Sequence, residues 1–114
     1  VVITGDWHST FVNDLKVDFG DEHAPTVATE FVGTPISSNG DVPVYGPYYG
    51  PMIPFNPNIK FFDGDRRGYV LCTLDREQWR TDLRIVSTVS RSDAPVSTLK
   101  SFVVEDGEPG AKRV

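Results

Sequence analysis

Cysteine is almost missing from this chain. Cys72 stands alone, so no intramolecular disulfide and no thiolate zinc cage can be built from it. Long hydrophobic runs are missing too, and no stretch approaches the length needed to span a bilayer. Positive charge is short: the formal net charge is −5, and Arg66-Arg67 is the only adjacent basic pair before the C-terminal tail. Such a surface offers a nucleic-acid backbone no basic patch and no counterion release. No leader of the secretory type opens the chain and no Met starts it; it begins inside the β-branched run Val1-Val2-Ile3-Thr4. The expectation is a segment of a longer polypeptide whose N-terminal part lies elsewhere.

What is present is ordinary globular composition. Hydrophobic residues make up 39% and charged residues 24% of 114, enough for one domain and too little for two. An acidic chain can still receive phosphate esters when a metal ion supplies the positive charge.

The pattern along the chain is mostly β. Val1 to Thr4 reads as a strand buried on both faces in the middle of a sheet. Phe11 to Phe19 reads as a half-buried strand, with Leu15, Val17 and Phe19 on the core face and Asp14, Lys16 and Asp18 outside. A polar turn covers 20–25, and Thr26 to Thr34 is a further strand. Ser37 to Pro57 holds most of the proline, with Tyr45, Tyr48 and Tyr49, and reads as a long loop without regular period. Strands follow at 59–62, 68–74 and 83–86, the first two joined by a tight hairpin at Asp63-Gly64-Asp65. Residues 75–79 are a turn tucking Trp79 onto the sheet. Ser101 to Glu105 is the last strand, and 106–114 is a fraying tail.

Chemistry concentrates in Gly5-Asp6-Trp7-His8-Ser9, just past the first strand. In an extended chain, side chains at i and i+2 share a side, so Asp6 and His8 are expected to reach one site. A carboxylate and an imidazole suit two metals of different hardness or one shared ion; taken alone, the spacing equally describes a hydrogen-bonded turn. A serine nucleophile is disfavoured, because Trp7 occupies the position directly after Asp6 and Ser9 has no evident base.

The surrounding words carry more. Val2-Ile3-Thr4-Gly5-Asp6-Trp7-His8-Ser9 with Asn13-Asp14-Leu15-Lys16, Thr29-Glu30-Phe31-Val32-Gly33-Thr34, Asn56-Pro57-Asn58-Ile59-Lys60-Phe61-Phe62, Arg66-Arg67-Gly68-Tyr69-Val70 and Phe102-Val103-Val104-Glu105-Asp106-Gly107 resemble the C-terminal part of PhoD-type alkaline phosphatases. These belong to the metallophosphoesterases. The likeness is weakest over 41–53, where related chains more often carry a helix-like stretch.

The resemblance implies an α/β fold, an α/β/β/α sandwich in the complete protein, with residues 1–114 as the mostly β C-terminal part of a single domain. It implies a ferric iron (Fe3+) ligated by His8 and a calcium ion (Ca2+) touched by Asp6. Further ligands would come from upstream, and the metals would activate water and neutralise charge during hydrolysis of phosphate mono- and diesters. It also implies a secreted or periplasmic enzyme. The segment alone is expected to be inactive and prone to self-association through its first strand.

Other residues carry duller expectations. Asn13 and Asp14 are either groups that orient His8 or a polar strand start. His23 is a solvated turn residue, and Glu30 needs a partner if buried. Arg66 and Arg67 either bind phosphate or, the duller account, form a hairpin salt bridge with Asp63 and Asp65, while Phe61, Phe62, Tyr69, Cys72 and Trp79 serve packing. The competing reading is a non-catalytic β-sandwich module that binds through the Tyr/Pro-rich stretch 41–55.

Overall fold

Period-two sequence dominates the chain, and the computed structural model, which describes residues 1–114, accordingly holds eight strands. They are β1 (Val2–Thr4), β2 (Thr10–Lys16), β3 (Thr26–Val32), β4 (Ile59–Asp63), β5 (Gly68–Leu74), β6 (Gln78–Val86), β7 (Val96–Glu105) and β8 (Glu108–Arg113). The first sheet has the order β1-β3-β2-β4 and the second is a meander, β5-β6-β7-β8. Only β1 and β3 pair in parallel. The mostly-β expectation for this segment holds. No helix is long and apolar enough to cross a membrane.

The two sheets meet through Val12 and Phe31 on one side and Leu83, Phe102 and Ala111 on the other, with Phe61, Val70 and Trp79 packed around them. Burial of each large member contributes about 1.5–3 kcal/mol. The core is small, for only 18 of 114 residues are buried, so polar ties between the sheets matter correspondingly more.

Within residues 1–114 β1 is an edge strand, in keeping with the exposed first strand expected of this segment. Val1, Val2 and Ile3 are 40–50% exposed, because no strand of residues 1–114 pairs with its outer side. On β2 the inward face is Thr10, Val12 and Asp14, the opposite of the face expected. The apolar alternation ran on past the strand, which ends at Lys16 just after an irregularity in its pairing with β3 and leaves Val17 and Phe19 in solvent.

Asp63-Gly64-Asp65 is not a hairpin. It is the crossover from the first sheet to the second, since β4 pairs with β2 and β5 with β6. Asp63 Oδ1 accepts the amides of Asp65 and Arg66, and its Oδ2 pairs with the Arg66 guanidinium. The expected Arg66 ion pair therefore exists without the hairpin. Gly64 lets this crossover touch the backbone opposite: a Cβ there would lie 2.3 Å from the Gly46 amide nitrogen.

That opposing backbone belongs to a short helix, α1 (Tyr45–Tyr49), followed by a 3-10 turn over Gly50–Phe55. The stretch expected to be irregular is therefore partly helical, with Pro51 preset for the start of the second turn. Trp79 lies within β6, where its indole N–H donates to Thr81 Oγ1 at 2.8 Å. Cys72 is half-buried in β5 beside Thr81, its Sγ 3.8 Å from the Thr81 hydroxyl.

The tail does not fray. Gly107 takes a positive φ of 72° at the turn, β8 pairs with β7, and Ala111 enters the core. The sequence signal of Gly107 and Pro109 marked the turn and hid the strand beyond it.

Candidate functional site

Residues 5–9 connect β1 to β2, and β3 lies between those two strands in the sheet. The connection must cross two inter-strand spacings, roughly 10 Å, over the end of β3. So short a crossing demands sharp backbone turns, and Asp6 and His8 take them with φ of 72° and 54°. Left-handed conformations in residues other than glycine cost about 1 kcal/mol or more and concentrate at functional sites. A hydrogen bond from the Gly33 amide to the Thr4 carbonyl, 2.9 Å, holds the end of β1 against the chain leaving β3.

The backbone here is not extended, so the i, i+2 argument for Asp6 and His8 does not apply as stated. The two side chains nevertheless share a place. They line one open concavity of about 280 Å³ with Trp7, Tyr45 and Tyr49. Asp6 is exposed and its carboxylate has no hydrogen-bond or ion-pair partner within the chain. His8 is half-buried; its Nδ1 lies 2.7 Å from Asn39 Oδ1 and its ring meets the edge of Tyr45 at 5.6 Å. An amide oxygen only accepts, so Nδ1–H donates and the Nε2 lone pair stays free. No three His, Cys, Asp or Glu side chains cluster closely enough to hold a metal ion.

The tyrosine segment forms the wall of this corner. Tyr45 and Tyr49 stack at 5.9 Å, and Tyr49 also contacts Trp7, Phe11 and Phe62. Burial, reinforced by the neighbouring phenols of Tyr48 and Tyr45, pushes the Tyr49 hydroxyl above its usual range, so it stays neutral in mildly alkaline solution.

Asn13 and Asp14 do not touch His8. Asn13 Nδ2 donates to Glu30 Oε2 at 2.9 Å, and Thr4 Oγ1 donates to Glu30 Oε1 at 2.9 Å, which supplies the partners Glu30 needs. Asp14 accepts the Ala111 amide and pairs with Lys60 at 3.1 Å. Ser9 is fully buried, out of reach of any substrate. His23 is solvated as expected, 3.4 Å from Glu22.

Asn39 is the neighbour of His8 that sequence reasoning missed. Asn39-Gly40 is a turn signal, and both residues have positive φ, 65° and 58°. Nothing in that signal names a partner 31 residues earlier. Arg67, 2% exposed, has no carboxylate partner; its guanidinium donates to the carbonyls of Ser38, Arg66 and Val42. On the same loop, Asp41 accepts the Thr88 hydroxyl at 2.5 Å and the Val89 amide at 2.9 Å. These bonds, with the Arg67 charge adding a smaller share, hold the Asp41 carboxyl below its usual range.

Comparison with known proteins places these residues. The model of the PhoD-like phosphatase family matches residues 1–83, which includes the Asp6–His8 corner, α1 and the crossover. Alkaline phosphatase D of Bacillus subtilis (strain 168) is 38% identical over 114 residues, 100% of this chain and 19% of that protein. A solved structure of PhoD aligns over 99% of this chain and 22% of its own, with 36% identity and a TM-score of 0.85. The chain thus spans about one fifth of the length of the relatives it matches. By sequence and by fold, the chain belongs to the PhoD-like phosphatase family.

Proposed function

We propose that this chain is the C-terminal part of a metal-dependent phosphoric ester hydrolase and brings to it the last metal-ligating motif, Gly5-Asp6-Trp7-His8. The observation that carries this reading is the meeting of Asp6 and His8 in one concavity, both on strained backbone, inside the region matched by the family model.

The donor chemistry fits. The Asp6 carboxylate is a hard oxygen donor without a partner, suited to calcium, and His8 offers Nε2, suited to iron. The number of donors fits only a shared shell, since calcium takes about 6–8 oxygen ligands, and the rest would come from the portion of the protein outside residues 1–114. When bound, such ions polarise a phosphoryl oxygen and make water nucleophilic near neutral pH, the chemistry that hydrolysis of phosphate mono- and diesters requires.

The chain's own contributions are positional. The five-residue connection holds Asp6 and His8 at the sheet end. Tyr45, Tyr49 and Trp7 give the concavity an aromatic wall. Because Tyr45 and Tyr49 turn onto the motif rather than outward, the tyrosine segment favours this reading over a separate binding module. An exported, secreted or periplasmic enzyme accords with the family.

The test is His8→Ala in the complete protein. Loss of iron together with nearly all turnover of a phosphate ester, in a protein that remains folded, is expected. Wild-type iron content and activity in that variant would remove His8 from the site.

A further inference from the structure

Resting on the reading of His8 as a metal ligand, we infer that Asn39 is the residue that positions it, and that the buried Arg67 guanidinium exists to hold Asn39 in place.

The hydrogen bond between His8 Nδ1 and Asn39 Oδ1, 2.7 Å, does two things. It fixes the neutral ring in the tautomer with the proton on Nδ1, and it sets the rotation of the ring about its side-chain bonds. The Tyr45 edge at 5.6 Å supports the ring but has no means to choose a tautomer. Neither Asn13 nor Asp14 reaches the imidazole, so the task falls to a residue that arrives from a distant loop.

That loop is tied down far more thoroughly than an exposed turn needs. Asn39 and Gly40 both occupy left-handed backbone, and the turn closes through Gly40 N–H to the Ser37 carbonyl at 3.0 Å. Arg67 donates from below to the Ser38 and Val42 carbonyls, one on each side of Asn39, at 2.8 and 3.5 Å. A guanidinium 98% withdrawn from solvent with no carboxylate against it is expensive. Its planar fork explains the arrangement, because it grips several carbonyls of one loop at fixed angles, which an ammonium does not. Asp41 ties the far end of the loop to Thr88 and Val89. The result is an asparagine held firmly enough to fix the orientation of another side chain.

The experiment uses the complete metal-loaded enzyme and measures metal retained after dialysis against graded chelator, with the thermal midpoint of the metal-free protein as control. Asn39→Gly removes the amide while accepting the φ of 65° without strain. It is expected to weaken iron retention about 10–100-fold with the metal-free midpoint unchanged. Asn39→Asp keeps an acceptor oxygen in the same place, and an aspartate can only accept, so iron retention near the wild-type level is expected. If Asn39→Gly retains iron like the wild type while His8→Ala loses it, the positioning role is overturned and the ligand reading stands. If Asn39→Asp loses iron as badly as Asn39→Gly, or loses it when Asn39→Gly does not fold, the acceptor role is likewise overturned. Should His8→Ala itself retain iron, the underlying reading of the site fails instead.

Discussion

The carboxylate of Asp14 on β2 accepts the backbone amide of Ala111 on β8, 97 residues later in the chain, at 3.3 Å. The same carboxylate pairs with Lys60 on β4 at 3.1 Å. One buried side chain thereby links the two sheets and two neighbouring strands of the first. Asp14→Ala would leave the Ala111 amide unsatisfied in a buried place and is expected to cost about 1–3 kcal/mol. Chemical denaturation of the complete protein and its variant checks this. Loss of metal at unchanged stability would instead give Asp14 a role at the site.

Asp6 makes no contact that a fold would miss, so its removal separates chemistry from structure. In the complete enzyme, Asp6→Asn is expected to weaken calcium dependence more than iron retention, because it removes a hard anionic oxygen. Metal analysis beside activity at graded calcium is the measurement. Equal loss of both ions would point to collapse of the corner, and no loss of either would take Asp6 out of the shell.

Acid should loosen the second sheet through Asp82. Its carboxyl is held below the usual value of 3.8 by the Ser101 hydroxyl, 2.5 Å away, and then by Arg80. A lowered folded pKa means the stabilisation is fully present above the unfolded value and is lost as pH falls through the folded one. Asp82→Asn should therefore be less stable than the wild type at neutral pH, with the difference shrinking below about pH 4. Unfolding midpoints across that range decide it; a difference independent of pH would refute the linkage.

The 114-residue chain on its own is expected to show negligible turnover of a model phosphate ester, since two donors cannot enclose two ions. β1 presents exposed valine and isoleucine on an unpaired edge, a template for strand addition. Concentration-dependent association should appear in sedimentation and should weaken when Ile3 is replaced by lysine. Turnover near that of the complete enzyme, free of contaminant, would show that a whole site lies within these residues.

Much of this was legible in the sequence, and the failures have physical causes. Alternation and β-branched runs located most of the strands, and the motif words around Asp6 and His8 located the family. What a linear pattern does not carry is partnership. Asp63-Gly64-Asp65 has the composition of a hairpin, yet Gly64 is needed for close approach to Gly46 rather than for a tight turn. Val1 to Ile3 advertise a wish for burial, not a neighbour. Asp14 looks like a solvent-facing residue, and the partners that satisfy it on the inner face, Ala111 and Lys60, come from distant parts of the chain. Asn39 reads as a turn residue, and its partner is set by the loop that Arg67 holds.

The order of strands along the chain has a further consequence. The first sheet is completed by residue 63 and the second begins at residue 68, so the two layers are consecutive blocks of sequence and not interleaved ones. Asp6, His8 and Asn39 all sit in the first block. Arg67 in the connection between the blocks holds the Asn39 loop by its hydrogen bonds, and the second block reaches that loop through Thr88 and Val89, which anchor Asp41. A division of labour follows within residues 1–114: the first block carries Asp6, His8 and Asn39, and Thr88 and Val89 of the second restrain the loop on which Asn39 sits.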